Sequence, residues 1–186
     1  MHLTIAMLTY RRNDYLAQVI PELLAQADDV SDARTTASVL IVDNDPQAGA
    51  RAVVEAARVA LGGEQPEASE PTGQADPAAA AATSRLVYVH EPEPGIVAGR
   101  NRALSQAHGS DALVFIDDDE EPEPGWLAAL LAVFDATTPA AVAGIVVPAY
   151  DIEPYEWVRA GAHFERATWP TGTDMRVAAH TQPLPD

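Results

Sequence analysis

Three consecutive carboxylates could bind a cation, because Asp117–Asp119 directly follow the apolar run Ala112–Ile116. Adjacent carboxylates repel one another, and the repulsion raises their pKa values unless a cation compensates it. The stretch from Asp111 to Glu156 contains eleven acidic residues and no basic one. A hard divalent cation such as Mg²⁺ or Mn²⁺ is a natural partner, held by one or two carboxylates while substrate phosphates complete its coordination shell. The alternative is a solvated acidic turn that caps the next helix, but the position after a buried strand favours the metal.

Two further sets of polar residues, Asp43 and the pair Arg100 and Asn101, could also bind a ligand. Asp43 comes directly after Val39–Val42, where its carboxylate could accept hydrogen bonds from a ribose or a base, or could cap the helix that follows. Arg100 and Asn101 open a helix after a glycine-containing loop. A guanidinium suits phosphate through its parallel N–H donors, although arginines on helix surfaces are common. The residues alone leave both pairs of alternatives open.

Several catalytic motifs are absent from the sequence. No Gly-x-Gly-x-x-Gly turn follows the first apolar run, and a chain without lysine cannot contain the lysine of a phosphate-binding P-loop. The chain has no cysteine, which excludes disulfides, thiolate zinc sites and thiol nucleophiles. Its five histidines lack metal-ligand spacing. Ordinary dinucleotide binding and P-loop phosphoryl transfer are therefore disfavoured.

The charge of the chain restricts its partners. Its 186 residues include 28 acidic and 11 basic side chains, the latter all arginine, so the formal net charge is −17. Nucleic acids and anionic membranes both require a basic face, so neither is an expected partner. No apolar run approaches the roughly 20 residues that span a bilayer, and the N-terminal segment lacks the basic flank and cleavage site of a signal peptide. We therefore predict a cytoplasmic location and one domain.

Apolar runs and helical periods alternate along the chain, which predicts an α/β fold with a mostly parallel sheet and right-handed crossovers. The predicted strands are Leu3–Leu8, Val39–Val42, Arg85–Val89, Ala112–Ile116 and Ala140–Val147. The first predicted helix begins at Asn13 or Asp14, either of which could cap it, and the others span about Gln47–Leu61, Ile96–Ala107 and Gly125–Ala136. Residues 62–84 are expected to form a solvated, disordered insertion. Ligands of such sheets bind beyond the carboxyl ends of the strands, where the polar groups described above lie.

Four blocks end or follow the predicted strands: Ile5–Arg12, Val42–Asn44, Gly95–Leu104 and Phe115–Glu120. In this order and at these spacings the blocks resemble the family 2 glycosyltransferases, and the resemblance covers about residues 3–147. The last block reads Phe-Ile-Asp-Asp-Asp-Glu and is followed by Pro122, Pro124, Gly125 and Trp126. This pattern is similar to bacterial exopolysaccharide-type members, such as those of succinoglycan assembly.

The resemblance implies a GT-A fold, which is a Rossmann-like α/β fold with helices on both faces of a mostly parallel sheet, here incomplete at the C-terminus. It implies a nucleotide-sugar-binding domain at residues 1–147 and an irregular extension at 148–186 that begins the acceptor region. The implied activity is transfer of a sugar, with inversion, from a UDP-, GDP- or dTDP-sugar to a hydroxyl of a glycan or lipid-linked acceptor. The implied cofactor is a divalent metal, Mn²⁺ or Mg²⁺.

The same resemblance implies roles for particular residues. The implied nucleotide-sugar-binding residues are Thr9, Tyr10, Arg12, Asp43, Asn44, Gly95, Arg100, Asn101, Asp117 and Asp118. Among them, Asp43 and Asn44 would meet the base and the ribose. Asp117 and Asp119 would be the metal ligands, and Asp118 between them could share either role.

The catalytic base is the part of the family pattern that the sequence does not supply. The family is expected to place this carboxylate after a glycine-rich turn in a second half, and the chain reaches Asp186 without that block. Acidic residues between Glu153 and Asp174 lack the expected setting, so we name no base. The alternative function is a nucleotide-sugar-binding fragment or module without transfer, associated with a membrane only through a partner. A sugar nucleotidyltransferase is disfavoured, because Thr9–Arg12 do not provide its Gly-rich loop with Arg and Lys.

Overall fold

The computed structural model describes residues 1–62, 84–150, 152–161, 164 and 168–175. Apart from its two end residues, the predicted insertion at residues 62–84 lies outside these ranges. Two compact units divide the chain, Met1–Ala128 and Ala129–Asp186, and every predicted site residue lies in the first. The elements are β1 (His2–Thr9), α1 (Asn13–Val30), β2 (Thr36–Asp43), α2 (Arg51–Ala60), β3 (Leu86–His90), α3 (Ile96–Gln106), β4 (Ala112–Asp117), α4 (Trp126–Thr137) and α5 (Glu156–Ala160).

The four strands form one parallel sheet in the order β3-β2-β1-β4. Every residue of Leu3–Met7 in β1 and of Val39–Asp43 in β2 is buried. A central parallel strand is covered on both faces and therefore requires an almost unbroken apolar sequence. The predicted α/β class and the first two strands are confirmed.

Helices cover both faces of this sheet. On one face α3 packs Ala103 into a cluster with Ala6, Leu40 and Val42. Side chains alternate along a strand, so Ile41 points to the opposite face. There α1 packs against β2 and α2. The layers are those of a Rossmann-like GT-A fold, as the resemblance implies.

The first helix, α1, follows the predicted 3.6-residue period. Its buried side chains are Leu16, Val19, Ile20, Leu23, Leu24, Gln26 and Ala27, and the helix continues through Pro21. The predicted cap is wrong, because no side chain caps this helix and Asn13 instead donates from Nδ2 to the carbonyl oxygen of Gly49 at 3.0 Å. Neither α1 nor any other helix in the described ranges is long and apolar enough to cross a membrane.

The second helix, α2, begins at Arg51, later than the predicted Gln47. A turn occupies the intervening residues, in which the N–H of Ala48 donates to the carbonyl of Asp45 at 2.8 Å. Ala48 has a φ of 53°, a left-handed conformation that a right-handed helix cannot include. This turn, with its left-handed residue, therefore delays the start of the helix to Arg51.

The predicted fifth strand is wrong. Residues Ala140–Val147 carry no regular secondary structure, and Ile145 and Val147 are 59% and 76% exposed. An apolar run becomes a strand only where a neighbour satisfies its backbone groups, and no strand in the described ranges pairs with this one. The expectation of a fully buried strand before Asp117 is also wrong, because β4 is an edge strand in which only Ile116 is buried.

Candidate functional site

The strand register brings the predicted site residues to one edge of the sheet. Thr9 at the end of β1 pairs with Asp43 at the end of β2, and Leu8 pairs with Asp117 at the end of β4. All four strands are parallel, so their carboxyl ends lie at the same edge. This edge is where open α/β sheets bind ligands.

Arg12 joins the first loop of this edge to the acidic run. Its Nη1 atom lies 2.8 Å from Asp118 Oδ1 and 2.9 Å from Asp119 Oδ2. The hydrogen bond to Asp119 and the charge of Asp118 raise the pKa of the Arg12 guanidinium. The backbone N–H of Tyr10 donates to Asp118 Oδ2 at 3.2 Å, so the loop after β1 is hydrogen-bonded to the turn after β4.

The neighbouring Arg11 turns away from this contact. Its φ of 57° lies in the left-handed region, which is unfavourable for a residue with a Cβ atom. The side chain instead pairs with Asp45 at 3.3 Å, Nε to Oδ1, and its guanidinium carbon lies 5.0 Å from the ring centroid of Tyr10. The strained residue thus lets two adjacent arginines meet acids on two different strand ends.

Arg100 approaches the acidic run from helix α3. Its Nη2 atom lies 3.6 Å from Asp117 Oδ1, and its guanidinium carbon lies 5.5 Å from the centroid of Phe115. Asn101 follows it on an exposed position of the same helix. No basic residue lies near the acidic run along the sequence, but the fold brings the guanidinium groups of Arg12 and Arg100 to it.

Asp43 is fully buried at the end of β2. Its Oδ2 atom accepts hydrogen bonds from the N–H of Ala50, directly before α2, and from the hydroxyl of Tyr88, both at 2.9 Å. Its Oδ1 atom accepts from the N–H of Asp45 at 3.0 Å. Asp43 thus holds the N–H of the residue before α2, whereas no side-chain hydrogen bond caps the helix itself. Contact with a ribose or base stays a prediction.

Sequence reasoning missed Tyr88 and Asp45, which complete this buried network. Burial, together with the hydrogen bond to Asp43 and its charge, raises the pKa of the Tyr88 hydroxyl. The Arg51 guanidinium carbon lies 4.9 Å from the Tyr88 ring centroid. Asp45 is 5% exposed, and its carbonyl oxygen lies 2.9 Å from Nε2 of His90. The run Asp43-Asn44-Asp45 after a strand was the available signal for Asp45, whereas Tyr88 had none in its local sequence.

Asn44 is 6% exposed, and its side chain is used within the protein. The Nδ2 group donates to the carbonyl oxygens of Glu91 and Glu93, and Oδ1 accepts from the N–H of Gly95. Gly95 precedes α3 with a φ of 132° and a ψ of 143°, which is close to a region populated only by glycine. The predicted contact of Asn44 with the nucleotide stays a prediction.

Thr9 supplies an unsatisfied polar atom at this edge. The residue is 2% exposed, and its Oγ1 atom is buried with no hydrogen-bond partner. Buried hydroxyls in proteins are usually paired, so an orphaned one calls for a reason such as an absent ligand. Tyr10 beside it is 46% exposed. A polar group and an aromatic ring are therefore available to a ligand at the end of β1.

The acidic run fits a divalent metal that is shared with a substrate. Within the described ranges no three His, Asp or Glu side chains are arranged to hold a metal by themselves. Asp117 and Asp119 are, however, 53% and 64% exposed hard oxygen donors. Magnesium sites commonly use only one or two carboxylates and leave the other positions to waters and phosphates. The donor set therefore suits a metal completed by a phosphate-bearing ligand.

The parallel sheet, the helices on both faces and the polar carboxyl edge define a Rossmann-like α/β protein. Residues 69–183 match the model of the family described as "Glycosyl transferase family 2". The chain is 32% identical over 173 residues to the succinoglycan biosynthesis protein ExoM of Rhizobium meliloti (strain 1021), an alignment that covers 92% of this chain and 48% of that protein. No solved structure gives a significant match. The chain belongs to the family 2 glycosyltransferases, and it spans about half the length of the curated relative it matches.

Proposed function

We propose that the chain binds a nucleotide sugar at the carboxyl edge of its sheet and transfers the sugar, with inversion and metal assistance, to an acceptor hydroxyl. One observation carries the proposal: Arg12 and Arg100 converge on the acidic run Asp117–Asp119. Guanidinium groups bind phosphate oxygens through paired N–H donors. Carboxylates beside them suit a divalent cation that shares those phosphates. A nucleoside diphosphate needs both kinds of group, since the protein itself carries a net charge of −17.

The proposed site follows from these positions. Thr9, Tyr10 and Arg12 would line the nucleotide pocket, with the free hydroxyl of Thr9 donating to the ligand. Arg100 and Asn101 would close over the nucleotide from α3. The remaining members of the proposed site are Asp43, Asn44, Gly95, Asp117 and Asp118, and Asp117 and Asp119 would hold Mn²⁺ or Mg²⁺.

In an inverting transfer, an acceptor hydroxyl attacks the anomeric carbon while the nucleoside diphosphate leaves from the opposite face. Negative charge then develops on the leaving diphosphate, where Arg12 and Arg100 would stabilise it. A metal bound by Asp117 and Asp119 would act there as a Lewis acid. The attacking hydroxyl must also give its proton to a base within hydrogen-bond reach, a role that we assign to no residue.

The proposal extends to the organisation expected from the sequence. Residues 1–147 would bind the nucleotide sugar, residues 148–186 would begin the acceptor region, and the protein would act in the cytoplasm. The relative named above is a succinoglycan biosynthesis protein, which supports a glycan or lipid-linked acceptor in polysaccharide biosynthesis. Because no described residue is assigned as the base for the acceptor hydroxyl, donor binding without transfer is the second candidate function.

Thermal unfolding with UDP, GDP or dTDP, each with and without Mn²⁺, tests the proposal. Saturation at about 100 times Kd stabilises a protein by about 2.7 kcal/mol, which for a domain of this size is roughly 5–10 °C. We expect such a shift with one diphosphate and Mn²⁺ together, and its loss in Asp119→Ala. The charge-matched control Asp29→Ala, in the last turn of α1, should keep the shift. The absence of any shift with all three diphosphates would overturn the proposal.

Turnover separates the two candidate functions. A donor radiolabelled in its sugar is incubated with the wild-type chain, Mn²⁺ and a glycan acceptor. Release or transfer of the labelled sugar supports the transferase. Binding of the diphosphate with no release favours the binding module instead.

A further inference from the structure

Asn44 ties together three strand ends at the proposed site. Its backbone N–H donates to the carbonyl of Thr9 at 2.9 Å. Its side-chain Nδ2 group donates to the carbonyl oxygens of Glu91 at 3.1 Å and Glu93 at 2.6 Å, and its Oδ1 atom accepts from the N–H of Gly95 at 2.7 Å. Both amide hydrogens are thus used. The whole side chain is directed to the loop after β3.

The loop Glu91–Gly95 has few other means of keeping its shape. Two of its five residues, Pro92 and Pro94, have no N–H to donate, and residues 92–95 are exposed. Apart from the bond that the Gly95 carbonyl accepts from α3, the other hydrogen bonds of the loop within the described ranges run from the N–H of Glu91 to the carbonyl of Asp43 and from the N–H of Glu93 to the Glu91 side chain. Three of the loop's bonds therefore come from a single buried amide.

The end of this loop determines where α3 begins. Gly95 directly precedes the helix, and its carbonyl accepts the N–H of Gly99 at 3.1 Å. A Cβ atom added to Gly99 would lie 2.7 Å from Leu8 Cδ2 and 3.8 Å from Asn44 Cγ, so the helix packs closely against β1 and Asn44. The next residue is Arg100, whose guanidinium lies 3.6 Å from Asp117.

We propose that Asn44 is a positioning residue that acts through Arg100 and does not touch the ligand. It fastens the Glu91–Gly95 loop, which fixes the first turn of α3 and holds the Arg100 guanidinium beside Asp117. This inference rests on the proposed function, in which Arg100 faces the diphosphate. It replaces the base or ribose contact that the family resemblance implies for Asn44, so that Asn44 belongs to the proposed site as a support for Arg100 and not as a ligand contact.

Hydrogen exchange of the unliganded protein tests the fastening. We expect Asn44→Ala and Asn44→Asp to speed exchange at the amides of residues 95–100 at least tenfold. Asn44→Asp keeps the size of the side chain and the acceptor for Gly95 but loses both donors, and the circular dichroism spectrum of each variant establishes that the protein compared is folded. Asn13→Ala removes the amide bonded to Gly49 and is the control, expected to leave residues 95–100 unchanged. Unchanged exchange in both Asn44 variants would overturn the inference.

A double-mutant cycle separates positioning from direct contact. Equilibrium binding of UDP with Mn²⁺, or of GDP or dTDP if UDP does not bind, is measured for wild type, Asn44→Asp, Arg100→Ala and the double variant. We expect each single change to weaken binding about tenfold, and the double variant to bind no more weakly than Arg100→Ala. Multiplicative losses would show independent contact of Asn44 with the nucleotide and would contradict the inference. If the wild type binds none of the three diphosphates, the proposed function fails. The hydrogen-exchange result still tests whether Asn44 holds the Glu91–Gly95 loop in place.

Discussion

Asp43 illustrates how a single buried carboxylate organises one end of the sheet. It accepts three hydrogen bonds, from two backbone N–H groups and the Tyr88 hydroxyl. A buried charge is tolerated only where such donors replace water. The network therefore fixes the turn that leads from β2 to α2, which is also the turn that presents Asn44 to the loop after β3.

Tyr88→Phe tests the strength of this network. Loss of a hydrogen bond to a charged group costs about 1.5–3 kcal/mol, so we expect the free energy of unfolding to fall by about this amount at neutral pH. Urea denaturation measures the change. Tyr10→Phe is the matched control, because this ring is exposed, and it should lower the unfolding free energy by less than about 0.5 kcal/mol.

The difference in stability between the wild type and Tyr88→Phe should also depend on pH. The folded state raises the pKa of Tyr88 above its ordinary value of about 10. The stabilisation is therefore fully present below pH ~10, and it is lost as the pH rises further and the unfolded chain releases the proton first. We expect the stability advantage of the wild type over Tyr88→Phe to shrink between about pH 10 and 11.5. An advantage that stays constant over this range would contradict the raised pKa.

Helix α3 and the loop before it form the element that carries Arg100 to the acidic run. The change from loop to helix requires a glycine at position 95. A side chain there would meet no neighbouring atom, but the φ of 132° is unfavourable for any residue with a Cβ atom. Strand β3 lies at one edge of the sheet. Arg58 of α2 donates from Nε and Nη2 to the carbonyl of Leu86 and thereby satisfies a backbone acceptor of this edge strand.

Gly95→Ala tests whether the start of α3 matters for binding. A non-glycine residue in this backbone region costs about 1–3 kcal/mol, and a shift of the loop that relieves the strain would displace the first turn of α3, which carries Arg100. We expect a lower melting temperature and weaker binding of the diphosphate with Mn²⁺, measured by thermal unfolding and calorimetry. Gly62→Ala is the control, because this glycine also has a positive φ, 73°, but follows α2. Equal losses of binding in the two variants would show that general destabilisation, and not the position of α3, is responsible.

At the scale of the whole molecule, the net charge of −17 opposes any anionic ligand. Locally the fold brings opposite charges together, since six of the nine arginines in the described part of the chain form ion pairs with carboxylates. The pairs are Arg11–Asp45, Arg12–Asp118, Arg12–Asp119, Arg58–Glu55, Arg85–Asp28, Arg100–Asp117 and Arg159–Glu153. These contacts act over a few ångströms, whereas the repulsion of the whole molecule extends to the Debye length, about 30 Å at 0.01 M and 8 Å at 0.15 M salt.

This difference in range predicts an unusual salt dependence. We expect the association rate of a fluorescent nucleoside diphosphate with Mn²⁺ to rise severalfold when KCl increases from about 10 to 150 mM, because salt screens the repulsion. The dissociation rate should change less, because it reflects short-range contacts. Stopped-flow fluorescence measures both. A fall in the association rate would show that the field of Arg12 and Arg100 dominates at long range.

Much of the fold could be predicted because its signals are local. The apolar runs of β1 and β2 and the period of α1 follow from burial along one strand or one helix face, and the structure confirms them. Ala140–Val147 carried the same apolar signal without becoming a strand, because a strand also needs a partner that sequence does not identify. The cap at Asn13 failed for a related reason, since a distant carbonyl competed for its amide.

The sequence by itself determined the α/β alternation, the family, and the acidic run and arginine-bearing blocks at the carboxyl ends of strands. Only the tertiary structure decided which of these groups meet. Arg12 and Asp118 are 106 residues apart in the chain, and Asn44 reaches a loop about fifty residues away. Periodicity records the environment of a residue within its own element, whereas a hydrogen bond or ion pair depends on the distance between two elements. That distance is set by packing and strand register, and neither is written in the local sequence of either partner.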